Sequence, residues 1–140
     1  MEVMDTKQYL MQISRLDKMI QNKLSEICQL KTMACSVTTY NDGERVQTSS
    51  DKDRLGTIVS KIVDMERNVD EMIDTRCKIV NQIDGISDLE CYDMLAKMYI
   101  LGKNLKVIAV ERGVTYRYMV SIHKKAIKAF EEKYGSEYLG

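Results

Sequence analysis

The sequence predicts an all-α protein, a long antiparallel, coiled-coil-like helical hairpin followed by a small bundle of three helices. Three observations favour this fold class. The 140 residues include no proline and only seven glycines, whereas folds built from strands and turns use both residue types often. Two segments repeat apolar residues in heptads, as supercoiled helices do. The remainder, residues 85–140, contains several helix-capping signals in quick succession.

Composition limits the class of protein further. Hydrophobic residues make up 44% and charged residues 30% of the chain, which is too apolar for a disordered protein. The sequence contains no run of 18 apolar residues, so no membrane span is predicted. The N-terminal residues lack the basic and apolar regions of a signal peptide. We therefore expect a cytoplasmic protein that has no membrane partner.

The first long helix is predicted at about residues 6–36. With Ile13 at heptad position a, seven of the eight a and d positions from Tyr9 to Ala34 are apolar. The expected seam residues on this helix are Ile13, Ile20 and Ile27. A polar loop, residues 37–50, follows and contains Asn41-Asp42-Gly43. It forms either a small hairpin, because these residues adopt positive φ readily, or a flexible connector.

The second long helix is predicted at about residues 51–84, with Ser50 as its N-cap. Eight of nine a and d positions are apolar, and the expected seam residues are Leu55, Ile62, Met65, Val69, Met72 and Ile79. Arg76 interrupts the seam. Its guanidinium either fixes the register of the pairing or reaches solvent while its stem packs, and we favour the second interpretation.

The apolar stripe of this second helix is wider than a two-stranded seam requires. Val59, Ile73 and Val80 occupy three of its four e positions, where a two-stranded coiled coil would place charges. An a/d/e face suits a bundle of three or four helices. The hairpin, residues 1–84, is therefore expected to make the protein a homodimer or a higher oligomer, or to contact another protein.

Three shorter helices are predicted in residues 85–140, at about 88–101, 105–112 and 116–134. In the first, Ser87 is expected to cap the helix and Glu90 to reach back to it, as in a capping box. Gly102 suits the left-handed cap that would end this helix.

The second and third of these helices have capping signals of their own. Asn104 and Thr115 are expected to be the N-caps, and Gly113 and Gly135 are expected to end the two helices.

The second and third helices together match a helix-turn-helix pattern. A small residue is needed where two helices cross closely, and a glycine is needed to turn the chain. Apolar residues on both helices would then share a core. The expected core residues are Ile108, Ala109, Gly113, Val114, Met119 and Ile122. Arg112 departs from the pattern, because it stands where an apolar core residue is usual.

The charge distribution supports a nucleic-acid partner, although the formal net charge is zero. Residues 41–95 carry seven basic and thirteen acidic side chains, whereas residues 103–130 carry seven basic side chains and one acidic. A basic helix-turn-helix segment predicts contact with double-stranded DNA, its recognition helix lying in the major groove. The expected contact residues are Lys103, Lys106, Thr115, Tyr116, Arg117, Val120, Ser121, Lys124, Lys125 and Lys128.

Neither a metal site nor an enzyme is predicted. The four cysteines, Cys28, Cys35, Cys77 and Cys91, lack the spacing of zinc ligands or redox motifs, so we expect them to be small buried residues. His123 is expected to be half exposed, either packing or touching phosphate. The sequence contains no phosphate-binding glycine loop and no hydrolase motif. No cofactor and no small-molecule substrate are therefore expected.

Residues 85–134 resemble the C-terminal region of bacterial sigma factors that reads the −35 promoter element. The residues that carry this likeness are Tyr92, Leu95, Met98-Tyr99, Gly102-Lys103, Ile108-Ala109, Gly113-Val114-Thr115, Ile122 and Ala126-Ile127. From about Leu10 to Tyr134, the chain is similar to small phage and prophage proteins of Gram-positive bacteria, related to the ArpU-like and RinA-like regulators. That closer likeness runs through Ser49–Arg54, the heptads that follow, and Tyr116–Val120 with His123 and Ala126.

The resemblance implies a phage transcription regulator that binds DNA, and it implies a structural role for His123. The heptad helices of such a regulator would either pair subunits or contact RNA polymerase. Two other functions stay open at this point. One is a protein-interaction module without DNA contact. The other is a DNA-packaging adaptor of the small-terminase type, which also combines a helix-turn-helix with a helical oligomerisation segment.

Overall fold

The computed structural model describes residues 4–40 and 49–139. Within these ranges the chain is all-helical and contains no strand. The helices are α1 (Thr6–Tyr40), α2 (Ser49–Asp84), α3 (Leu89–Leu95), α4 (Leu105–Arg112) and α5 (Tyr116–Tyr134). A π-helical segment, Ala96–Ile100, continues α3, and a 3₁₀ turn, Gly135–Glu137, follows α5. No helix in this part of the chain is both long and apolar enough to cross a bilayer.

Both long helices reach further into the predicted loop than the sequence suggested. α1 continues to Tyr40, and α2 begins at Ser49, so Ser50 lies inside the helix instead of capping it. The choice between a hairpin and a flexible connector therefore concerns residues 41–48, which lie outside the described ranges.

The chain divides into two compact units, and the division is not at residue 84. Unit 1 comprises Met1–Leu16 and Thr75–Gly140, and unit 2 comprises Asp17–Asp74. The first residues of α1 and the last of α2 therefore belong with α3, α4 and α5. The heptad pattern continues through both long helices and gives no sign of this division.

Unit 1 has one large apolar core. Residues of all five helices contribute to it, including Leu10 of α1, Ile83 of α2, Met94 of α3, Ile108 of α4 and Phe130 of α5, all of which are fully buried. Burial of this much apolar area is the main favourable term in folding.

Polar groups at the edge of this core bond across long sequence separations. The Tyr9 hydroxyl donates to Gln82 Oε1 at 2.6 Å, and Gln82 Nε2 donates to Glu137 Oε2 at 2.6 Å. The hydroxyl oxygens of Thr6 and Tyr138 are 2.8 Å apart. Burial raises the pKa of both the Tyr9 and the Tyr138 hydroxyl. These bonds tie the start of α1 to the end of α2 and to the residues after α5.

In its described residues, unit 2 consists of parts of α1 and α2 packed along the predicted seam. Ile27, Met65 and Val69 form its buried cluster, and Ile20, Leu30 and Ile62 are half buried against it. Lys31 Nζ lies 3.2 Å from Glu66 Oε1, between the two helices. The predicted seam residues Leu55 and Met72 are half buried in this unit, and Ile13 and Ile79 are buried in unit 1.

The apolar e positions described in unit 2 are exposed. Leu24, Val59 and Ile73 are 51%, 46% and 39% exposed. Arg76, in unit 1, is half buried on the seam. Within unit 2, packing of α1 against α2 therefore buries only part of the wide apolar stripe.

The expectation that the cysteines are buried is wrong for three of them. Cys28, Cys35 and Cys77 are exposed, and only Cys91 is buried. The two long helices have one buried face each, so a small apolar residue outside the seam lies in solvent.

Candidate nucleic-acid interface

The turn before α5 holds the start of this helix in a defined direction. Gly113 adopts a left-handed conformation, with φ of 67°, and Val114 N donates to Ala109 O at 3.0 Å. Thr115 Oγ1 accepts a hydrogen bond from Tyr118 N at 3.1 Å, so Thr115 is the N-cap that the sequence predicts. Asn104 caps α4 in the same way by accepting from Val107 N. A side chain other than glycine would be strained at Gly113.

Beneath this turn lies the predicted core. Ile108, Ala109, Met119 and Ile122 are buried in one cluster, and Val114 is half buried against it. Gly113 itself is exposed, so it contributes through its backbone conformation and not through packing. Arg112 is also exposed, and its guanidinium does not occupy the core.

The outer face of α5 presents a row of hydrophilic side chains. Arg117, Ser121, Lys124 and Lys128 are exposed, and their spacing of four, three and four residues aligns them along one side of a helix. In the described part of the chain, none of the three cations of this row forms an ion pair. We call these four residues the exposed row. Its charge is available to an anionic partner.

Lys125 lies beside this row but faces a carboxylate. Lys125 Nζ is 3.6 Å from Asp88 Oδ2, and the Tyr118 hydroxyl donates to Glu90 Oε1 at 3.2 Å. The two contacts join one side of α5 to the start of α3. The structure therefore separates Lys125 from the exposed row that the sequence grouped it with, although an exposed pair of this kind is weak.

The start of α3 corrects the predicted capping box. Asp88, not Ser87, is the N-cap, and its carboxylate accepts from Glu90 N and Cys91 N. Glu90 bonds to Tyr118 instead of reaching back. The hydrogen bond from the Cys91 amide, followed by the charge of Lys125, lowers the pKa of the Asp88 carboxyl.

Gly102 and Gly135, two glycines predicted to end helices, differ in backbone conformation. Gly102 has the left-handed conformation expected of a C-terminal cap, with φ of 74°. Gly135 does not, because the chain continues there into a 3₁₀ turn with φ of −56°. A Cβ at Gly135 would lie 3.0 Å from Leu139 Cδ1, so close approach, not positive φ, favours glycine at this position.

The other predicted contact residues lie around α4 and the start of α5. Lys103 Nζ is held by both carboxylate oxygens of Glu111, at 3.0 and 2.9 Å, so its charge is already balanced. Lys106 and Tyr116 are exposed, and Val120 is half buried.

Two residues that the contact prediction missed form a buried polar pair. His123 is 5% exposed, not half exposed as expected, and its Nε2 lies 2.7 Å from the Tyr99 hydroxyl oxygen. Burial, and next the charge of Lys7, lowers the pKa of His123, and burial raises the pKa of Tyr99 to about 12. Because 24 residues separate the pair, no local sequence signal reveals it.

Searches against protein-family models, curated proteins and solved structures each find no match. Function is therefore inferred from the helices α3–α5 and from the exposed row.

Proposed function

We propose that this chain is a phage or prophage transcription regulator that binds double-stranded DNA through α5. In this proposal α3, α4 and α5 form a sigma-like helix-turn-helix bundle, and α5 is the recognition helix in the major groove. α1 and α2 form an antiparallel hairpin for self-association or for contact with RNA polymerase.

The exposed row carries this proposal. Arg117 and Lys124 form no ion pair with a described residue, and they lie on the same side of α5 as Ser121 and Lys128. Arginine and lysine can bond to guanine edges or to phosphate, and serine can bond to either. A helix with three unpaired cations on one exposed side suits a polyanion with a groove of helix width.

The fixed turn before α5 adds support. The cap at Thr115 and the left-handed Gly113 define the direction of the helix, and the free amides at its N-terminus favour a phosphate there. The resemblance of residues 85–134 to a −35-reading region agrees with this placement.

Contacts between the two long helices support the hairpin. In unit 1, Tyr9 of α1 bonds to Gln82 of α2, and in unit 2, Lys31 of α1 pairs with Glu66 of α2. From the first contact to the second, the residue number rises on α1 and falls on α2, as it does in an antiparallel pair of helices.

Salt-dependent DNA binding tests the proposal. Fluorescence anisotropy would be measured with duplex fragments from the promoter regions beside the gene, at several salt concentrations. We expect Arg117→Ala to weaken binding by about 1–3 kcal/mol if Arg117 contacts a base. Lys124→Ala should reduce the slope of log K against log salt by about one, because one phosphate contact is lost.

Two comparison variants sharpen this test. Lys61→Ala on α2 should leave binding unchanged. Lys125→Ala should have a smaller effect than Lys124→Ala, because Lys125 lies outside the exposed row and faces Asp88. Circular dichroism would show whether each variant keeps its helices. Failure of the wild-type chain to bind any fragment at low salt would contradict the proposal.

The exposed e positions favour protein interaction as a second candidate function. Leu24, Val59 and Ile73 are apolar and exposed in unit 2, and exposed apolar surface marks an interaction site where it forms a contiguous patch. Light scattering would show an oligomer for the wild-type chain and a smaller mass for Val59→Glu with Ile73→Glu. A monomeric wild-type chain would contradict self-association. A ring-sized mass without promoter binding would favour a packaging adaptor.

A further inference from the structure

A cavity of about 500 Å³ lies in unit 1 beside the exposed row of α5. The first turns of α1, the residues before and at the start of α4, and the first turns of α5 contribute to its lining. A concave site of this volume is in the range of small-molecule sites. The predicted DNA contacts do not account for it, because Lys7 and Met11 of α1 also line it.

The lining is rich in apolar groups. Met11, Leu105, Tyr116 and Val120 all face this cavity, and Met11 and Tyr116 are 61% and 50% exposed. Leaving such side chains in water is unfavourable, and an apolar ligand would remove that surface from solvent. A DNA backbone alone would not, because its phosphates and sugars present no apolar body to this wall.

The charged groups of the lining all have the same sign. Lys7, Lys103 and Lys124 line the cavity, whereas no carboxylate does. Glu111 balances Lys103 from outside, but neither Lys7 nor Lys124 forms an ion pair with a described residue. Two uncompensated ammonium groups at one concave surface favour an anion.

The base of the cavity is held in place. Tyr99 and His123, which bond to one another at 2.7 Å, are part of its lining. Asn104 is fixed by its capping bond to Val107 N, 2.9 Å long. Burial, and next the charge of Lys7, lowers the pKa of His123. Burial, and next the charge of Asp5, raises the pKa of Tyr99, so a charge of each sign acts on the base of the cavity. A site formed before binding requires little ordering when a ligand enters.

We infer that this cavity binds a small organic anion with an apolar body, such as a medium-chain or aromatic carboxylate. The anionic group binds Lys7 and Lys124, and the apolar body covers Met11, Leu105 and Val120. The site does not depend on the DNA-binding proposal. Because Lys124 and Tyr116 belong to the predicted DNA surface too, ligand and DNA would compete if both proposals hold.

The test uses the full chain and 8-anilinonaphthalene-1-sulfonate, a fluorescent aromatic anion, as the probe. We expect saturable binding of one probe per chain. Lys7→Ala and Lys124→Ala should each weaken binding about tenfold, the lower end of what loss of one charge-assisted contact predicts. Val120→Asp should weaken it more, because it places a carboxylate in the apolar lining.

Matched controls separate this site from general surface binding. Lys18→Ala, on the same helix as Lys7, and Val110→Asp, at an exposed valine outside the lining, should leave probe binding unchanged. Binding that does not saturate, or that Val110→Asp reduces as much as Val120→Asp does, would overturn the inference. Thermal melts by circular dichroism would verify folding, and the Lys7→Ala result decides the matter if Val120→Asp fails to fold.

Competition defines the ligand class. Sodium octanoate should displace the probe, whereas inorganic phosphate and octan-1-ol at the same concentration should not. Displacement of the probe by inorganic phosphate would mean that the apolar wall has no role in binding. Displacement by octan-1-ol would mean that the lysine charges have no role in binding. Either result would overturn the inference.

Anisotropy with duplex DNA distinguishes the two proposals. Probe binding without DNA binding would contradict only the proposed function. DNA binding without saturable probe binding would contradict only the ligand site.

Discussion

The two compact units of this chain bury their helices to different extents. Among the residues that the structure describes, sixteen buried side chains form one cluster in unit 1, whereas the cluster of unit 2 consists of Ile27, Met65 and Val69. Position e of the heptad shows the same contrast. Leu10 in unit 1 is fully buried, and Leu24, two heptads later in unit 2, is 51% exposed.

The units also differ in charge. Unit 1 has 13 basic and 10 acidic side chains, which gives +3, and unit 2 has 8 basic and 11 acidic, which gives −3. A unit with a full core can hold a cationic surface in fixed geometry. A unit with a thin core and exposed apolar positions is better suited to gain stability from a partner. The difference favours unit 1 for recognition of an anionic ligand and unit 2 for assembly.

The largest expected effect compares the same substitution in the two cores. Ile83→Ala should lower the free energy of unfolding by about 3–5 kcal/mol. The Ile83 side chain is fully buried, and its removal would leave a cavity in the core. Ile27→Ala should cost about 2 kcal/mol, since a seam between two helices can relax towards the gap. Urea unfolding followed by circular dichroism measures both. Equal losses would mean that the two units do not differ in packing as proposed.

Substitution of one glycine in each unit should change the free energy of unfolding by a smaller amount, with opposite signs in the two units. Gly113→Ala should destabilise the chain by about 1–2 kcal/mol, because its φ of 67° is left-handed. Gly56→Ala should stabilise it by about 0.5–1 kcal/mol, because this glycine lies inside α2 with open space around it and alanine favours helix. Thermal or urea unfolding of both variants tests this, and stabilisation by Gly113→Ala would be incompatible with the turn described above.

The smallest expected effect is a dependence of stability on pH in unit 1. The pKa of His123 in the folded chain is lower than its ordinary value of 6.5, owing first to burial and then to Lys7. Below pH 6.5 the unfolded chain binds a proton that the folded chain does not. Stability should therefore fall as the pH falls from 6.5 towards the folded pKa, and should be constant with respect to His123 above 6.5.

His123→Gln is the control for this pH dependence. The variant lacks the titrating group, so it should show a smaller change of unfolding free energy between pH 7 and pH 5 than the wild type does. An identical pH dependence of the two proteins would show that other groups cause it.

Much of the helical structure was predictable because its signals are local. The bounds of α4 and α5 match the prediction, since Asn104, Gly113 and Thr115 each act on backbone groups within a few residues. The seam residues of both long helices are buried or half buried, because a helix with one apolar stripe can bury only that stripe.

Several features of the candidate site were not predictable. Ser87 and Asp88 are both good capping residues. In the structure, Asp88 pairs with Lys125, and Glu90 accepts a hydrogen bond from Tyr118. Both of these partners belong to α5, which lies far along the chain. The burial of His123 depends on Tyr99 in the same way, and the cavity depends on α1 reaching the start of α5.

The sequence by itself determined the all-α class, the seam of each long helix and the capped segment before α5. These follow from residue spacing and from hydrogen bonds within one or two helical turns. Only the tertiary structure decided which stretches of α1 and α2 join the large core, and which lysines keep an uncompensated charge. Burial and ion pairing depend on side chains that are distant in sequence, and the heptad repeat is the same on both sides of that boundary.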